Sequence, residues 1–164
     1  MIKAELINHM GNDMTVCDAA RVSFDKEASN YTVSQNNKLL AYLAKHQHIT
    51  PFTHPQITLR ESIPIFVARQ RFKHVVGFTY NEVSRRYVDD SPEFYEPDTW
   101  RARPEGSVKQ GSAGDHTASG YYKQKVAVFN EKARQLYQDM LNEGIAPEQA
   151  RMVLPQSMIT SYYV

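Results

Sequence analysis

The feature that most constrains this 164-residue chain is a single long apolar stripe: Tyr122, Val126, Phe129, Ala133, Leu136 and Met140 step by four and three residues. That spacing lines one face of an α-helix, which needs another surface to lie against. Gly144 stands where such a helix should stop, and Pro147 opens a further one through Ala150, Arg151, Val153 and Leu154 that is expected to resume after Pro155. Upstream the pattern differs. Ile2 to Ile7 alternates weakly and predicts a short strand, and Gln56 to Ser62 predicts another, with Ile57 and Leu59 on one face. Met10-Gly11-Asn12-Asp13 reads as a turn, with Asp13 capping a helix over 14–22. Ser34 is the expected cap of a second helix carrying Leu39, Leu40, Tyr42 and Leu43, which must end near His46–His48 because Pro51 and Pro55 follow. Pro64 fits the first position of a third helix, running to about Lys73. Short strands and long helices without βαβ alternation predict an α+β fold, a mixed or antiparallel sheet with flanking helices.

Composition sets the function classes. A net charge of +1, with 41% hydrophobic residues, argues against disorder and against holding nucleic acid by bulk charge. The apolar run Ile63–Ala68 is short and contains Pro64, and residues 1–10 carry no signal-peptide core, so a soluble, cytoplasmic protein without membrane contact is expected. The lone Cys17 excludes an internal disulfide and reads as a buried thiol. From 98 to 120 the texture turns to glycine, serine and proline, with Gly106, Gly111, Gly114 and Gly120 close together, and predicts a flexible loop.

Two clusters carry chemistry. His46, His48 and His54 fall within nine residues, but no acid or cysteine lies among them, and capping or packing is the better reading than a metal site. The richer stretch is 69–86, where Arg69, Arg71, Lys73, Arg85 and Arg86 face one acid, Glu82, a local charge of +4. On a helix Arg69 and Lys73 share a face and repel, so something anionic should compensate them. The acids Asp89, Asp90, Glu93, Glu96 and Asp98 follow closely, and pairing with them is one reading. A phosphate or carboxylate site is the other, since guanidinium groups bind such oxygens bidentately. Gln70, His74, Asn81, Glu82 and Ser84 are interleaved with the cations and supply the donors and acceptors that a uracil-like or flavin-like ring edge requires. Gly77 permits a sharp backbone bend. No glycine-rich phosphate fingerprint is present, so side chains must hold any nucleotide.

Asn81-Glu82-x-Ser84-x-Arg86-Tyr87, preceded by Pro64-Ile65-Phe66-Val67-Ala68-Arg69-Gln70 and Lys73-His74, resembles the signature of the flavin-dependent thymidylate synthases, the thymidylate synthase-complementing proteins. The resemblance extends to Met10-Gly11-Asn12-Asp13, Ala19-Ala20-Arg21-Val22-Ser23-Phe24, His48-Ile49-Thr50-Pro51-Phe52-Thr53-His54 and Ala150-Arg151-Met152-Val153-Leu154-Pro155. It implies that family's fold over 1–164 and a homotetramer with sites at subunit interfaces. The implied reaction makes dTMP from dUMP, with FAD as cofactor and methylenetetrahydrofolate and NADPH as co-substrates. Carried over, Thr50, Lys73, His74 and Glu82 would contact FAD, and Gln70, Lys73, Ser84, Arg86 and Arg151 would contact dUMP. Ser84 has no adjacent base and is assigned to binding, so no residue is given a catalytic role and none a metal. Lys73-His74-Val75 stands where the family has Arg-His-Arg, with one extra residue before Asn81, which predicts an altered flavin affinity or geometry. The family also continues past this sequence, into an Asn-x-Arg, a His and a later Arg. Together with the apolar end Ser161-Tyr162-Tyr163-Val164, this predicts the N-terminal part of a synthase, either completed by a second polypeptide or left by a split or truncated reading frame. The alternative is a remnant that binds nucleotide or flavin without turnover.

Overall fold

The computed structural model describes residues 2–106 and 111–164. The chain divides into two compact units. One is built on Ala4–Arg60 with Val75–Thr79 and Tyr163–Val164, the other on Glu61–His74 and Tyr80–Tyr162.

In the first unit, strand β1 (Lys3–Met10) leads into a turn at Gly11, whose φ is +78°; a Cβ there would also sit 3.0 Å from Thr15 Oγ1 and 3.3 Å from Pro55 Cα. Helix α1 (Asp13–Arg21) is capped by Asn12, not Asp13. The Asn12 side chain accepts from the amides of Met14 (2.9 Å) and Thr15 (3.3 Å), while Thr15 Oγ1 accepts from the Asn12 amide at 3.1 Å. Asp13 instead lies in the first turn, where its charge suits the helix dipole. A similar shift, here of two positions, holds for α2 (Val33–Lys45), which Thr32 caps through the Gln35 amide, leaving Ser34 inside the helix. In both places the reciprocal capping box decides the start, because two orphan donors are satisfied at once. The helix then stops at His46, as the following prolines require. Val16, Cys17, Ala28 and Leu43 form the core of this unit. Burial raises the Cys17 thiol pKa despite the opposing charge of Arg21, so the thiol is the inert, structural one expected.

Strand β2 (Gln56–Pro64) belongs to both units, its last residues being the buried Ser62, Ile63 and Pro64 of the second. There Pro64 caps rather than begins helix α3 (Ile65–Arg71). Its extended backbone (φ −66°, ψ 147°) still belongs to the strand, and the missing N–H costs nothing at that place. A two-residue strand β3 (Asn81–Glu82), the long helix α4 (Ser119–Asn142), the short α5 (Pro147–Ala150) with a 3-10 turn at Arg151–Val153, and strand β4 (Ile159–Tyr163) follow. The helix expected to resume after Pro155 is therefore a strand. Ile159, Thr160, Tyr162 and Tyr163 are β-branched or aromatic, and burial alternates so that Thr160 and Tyr162 point inward. The described strands form a sheet in the order β1-β2-β4-β3. Leu59 and Val164 exchange amide bonds of 2.8 and 3.0 Å, an antiparallel pair, and the Val83 amide reaches the Ser161 carbonyl at 2.9 Å. The architecture is α+β, as the sequence predicts.

The α4 stripe holds at Val126, Ala133 and Met140 but shifts by one position at Phe129 and Leu136, where Asn130 and Tyr137 are the inward residues. Asn130, Ala133 and Tyr137 are buried and Val126 and Met140 half-buried, whereas Tyr122, Phe129 and Leu136 are half exposed. Asn130 enters the core because its amide donates to Glu96 Oε1 at 2.9 Å; a polar letter hid a core position. Within the segment predicted as a loop, Arg101 and Asp115 form an antiparallel backbone bridge, Ala102 exchanges amide bonds with Ala113 and Gly114, and the Trp100 amide donates to Ser119 Oγ at 2.7 Å. Residues 107–110 of that loop lie outside the described residues. No described helix is long and apolar enough to cross a membrane.

Candidate functional site

Helix α3 is short because it must turn its buried Ala68 toward the core and then release the chain: the Phe72 amide bonds the Ala68 carbonyl at 2.9 Å, and tighter bonds from Lys73 to Gln70 (3.2 Å) and from His74 to Arg71 (3.1 Å) close the end. Lys73 therefore sits in a turn beyond the helix, not one helical turn above Arg69. Gln70, Lys73 and His74 are exposed on this corner. Asn81 and Glu82 are exposed on β3, where Glu82 Oε1 accepts from the Thr160 hydroxyl at 2.6 Å, and Thr160 is buried. Ser84 is half-buried in the next turn, and its oxygen accepts from Arg86 Nε at 3.1 Å. The Arg86 guanidinium lies 5.1 Å from the centre of the Tyr87 ring.

The five cations of this stretch divide into two sets. Arg71 donates through Nε and Nη2 to both oxygens of Glu61, each at 3.2 Å, and Arg85 Nη1 pairs with Asp90 Oδ1 at 2.6 Å. Pairing with the following acidic run thus holds for Arg85 alone. Arg69, Lys73 and Arg86 have no carboxylate partner among the described residues. An exposed set of cations beside Gln70, His74, Asn81 and Ser84 can bind a phosphate and read a ring edge with the same surface.

Two assigned residues lie on other elements. Arg151 is exposed in its 3-10 turn, its Nε bound to the Glu148 carbonyl at 3.2 Å, and no described hydrogen bond joins it to Gln70, Ser84 or Arg86. Thr50 belongs to the other unit, in a 3-10 turn (Thr50–Thr53) beside a hollow of about 310 Å³ that His48, His54, Pro51, Ser23 and Leu43 also line. His46 and His48 both pack on the Tyr42 ring, with centroids 4.3 and 6.1 Å from it. Among the described residues no three metal-binding side chains converge.

Sequence reasoning missed the groups under the surface. Glu61, Tyr80 and Thr160 each bond to a segment that carries an assigned residue, and Tyr162 bonds to Glu61. Burial opposes the Glu61 charge, but hydrogen bonds from Arg71 and Tyr162 outweigh it and hold the carboxyl below its ordinary pKa. Burial and the bond to Glu61 push the Tyr162 hydroxyl well above the usual tyrosine value. One signal was available: Glu61 is the acid next to the inward run Ser62-Ile63-Pro64, and a carboxylate so placed needs a cation.

A flavin-dependent thymidylate synthase of Thermosipho africanus is 37% identical over 159 residues, covering 96% of this chain and 68% of that protein. One from Thermus thermophilus is 35% identical over 160 residues, covering 96% of this chain and 57% of that protein. The chain thus spans 57 to 68% of the length of these relatives. Two crystal structures of a UMP/dUMP methylase from Streptomyces cacaoi, bound with 5-Br UMP and with 5-Br dUMP, superimpose with TM-scores of 0.83 and 0.87. Both are 31% identical and cover 99% of this chain, and 70% and 72% of theirs. The family profile described as Thymidylate synthase complementing protein matches residues 5–164. With the match running through every segment that carries the exposed cations, the chain belongs to the thymidylate synthase complementing protein family.

Proposed function

We propose that this chain is the nucleotide-binding part of a flavin-dependent thymidylate synthase, which converts dUMP to dTMP with methylenetetrahydrofolate as carbon donor and NADPH as reductant. The observation that carries the reading is the division of the cations: Arg69, Lys73 and Arg86 stand exposed without carboxylates beside uncharged hydrogen-bonding side chains. In that reading the Arg86 guanidinium, kept near Ser84 by the Nε bond, neutralises the dUMP phosphate. Gln70 and Ser84 offer the donors and acceptors that orient the uracil ring, and Arg151 adds a second cation.

The donor set also fits a flavin dinucleotide. Lys73 and His74 are exposed donors suited to a pyrophosphate, Glu82 is an acceptor oriented by Thr160, and Thr50 borders a hollow of its own. FAD held by these groups supplies the hydride chemistry that no protein side chain provides. Lys73 binds as a point charge where an arginine would bind through a fork, so its contact tolerates a wider range of ligand positions. Because these residues are exposed, exclusion of water from them requires a covering surface, and we assign that role to other subunits of a homotetramer. The relatives' greater length favours a second reading, in which this chain binds nucleotide and flavin while turnover needs further polypeptide.

Purified chain, titrated with dUMP and FAD and assayed for NADPH-dependent dTMP formation, tests both readings. Binding with turnover supports the first, binding without turnover the second. Absence of binding to both ligands contradicts the proposal.

A further inference from the structure

Under the exposed corner runs a chain of polar groups to which the binding scheme gives no task. Tyr162, 2% exposed, donates its hydroxyl to Glu61. Glu61 holds Arg71 through two bonds of 3.2 Å, and Arg71 Nη1 reaches the Tyr80 hydroxyl at 3.3 Å. That hydroxyl donates in turn to the His74 carbonyl at 2.8 Å. The rings reinforce the path: Phe72 lies 4.8 Å from both Tyr80 and Tyr162, and the two tyrosine rings are 5.9 Å apart.

The position of Tyr80 gives the path its meaning. It directly precedes Asn81–Glu82, while its hydroxyl grips the last residue of the Gln70–His74 corner. One oxygen therefore ties together the two segments whose exposed side chains make up the surface. The corner has left the helix, so the ladder no longer fixes its direction. A cation or imidazole displaced by about 1 Å loses much of its contact with a ligand.

We propose that Tyr80 is a positioning residue: its hydroxyl, anchored through Arg71 and Glu61 to Tyr162, fixes the orientation in which Lys73 and His74 meet a bound nucleotide or flavin. This rests on the binding reading above. Tyr80 itself touches neither ligand in this scheme.

The test is Y80F in the full chain, which keeps the ring contacts and removes the link. Thermal unfolding, amide hydrogen exchange over residues 72–82, and affinities for FAD and dUMP are measured beside the unaltered chain. The expected result is a melting temperature within a few degrees, faster exchange in 72–82 with α4 unchanged, and FAD binding weakened roughly five- to thirty-fold. Unaltered exchange and FAD affinity would overturn the proposal. Binding of neither ligand by the unaltered chain refutes the binding reading, and this inference with it; the exchange data still report whether the hydroxyl orders the corner. If Y80F does not fold, Y162F takes its place, with a loss in the same direction of roughly two- to fivefold, because Arg71 and Glu61 remain paired. Equal affinity in Y162F would then count against the anchored path.

Discussion

Arg71 and Arg86 are cations of one short stretch, and they live in different chemical worlds. Arg71 is clasped by a carboxylate whose side chain is 13% exposed, with a buried tyrosine behind it. Arg86 is exposed, and among the described residues its Nε bonds only the hydroxyl of Ser84. The local charge of +4 therefore contains two kinds of cation: one paired with a carboxylate inside the fold, and one exposed with no carboxylate partner among the described residues. Similar letters in sequence acquire separate tasks from what lies beneath them.

The sharpest way to break the comparison is to remove the charge under Arg71. Glu61→Gln keeps the shape but leaves a partly buried guanidinium without its counter-ion, and should cost about 2–4 kcal/mol of stability, read as a melting temperature lower by several degrees. A stability within about 0.5 kcal/mol of the original would show that the pair does not hold the unit. Acid should produce a related, smaller loss. Because the folded Glu61 pKa lies below its ordinary value of 4.5, its contribution is full above that pH and disappears as pH falls through the folded value. Urea unfolding from pH 7 to 3 should show an acid limb that Glu61→Gln flattens. The smallest effect is expected at Arg85. Its partner Asp90 is 72% exposed, so Arg85→Ala should cost under about 1 kcal/mol and leave dUMP affinity unchanged. A large loss of affinity there would move Arg85 into the open set.

Much of this division was hidden in the sequence for identifiable reasons. The helices and their stops were readable because Gly144, Pro51 and Pro55 act locally. The start of α1 lies one residue, and that of α2 two residues, before the sequence reading, because the reciprocal caps at Asn12 and Thr32 outcompete Asp13 and Ser34. The α4 face shifted because Asn130 and Tyr137 are polar letters with buried side chains. The final strand was missed since Pro155 was read as an interruption, although Ile159 to Tyr163 has the residue types of a strand. The exposed residues proposed to bind are visible as a motif; the brace is not. Glu61 and Tyr162 are 101 residues apart, and only the pairing of β2 with β4 brings them together.

The central claim is that the exposed cations, and not the paired ones, receive the nucleotide. Calorimetric titration of dUMP into the chain and into Arg86→Ala tests it directly. The account predicts binding weakened by about 1.5–3 kcal/mol, roughly 10- to 150-fold, with thermal stability preserved. Equal dUMP affinity in the two proteins would contradict it.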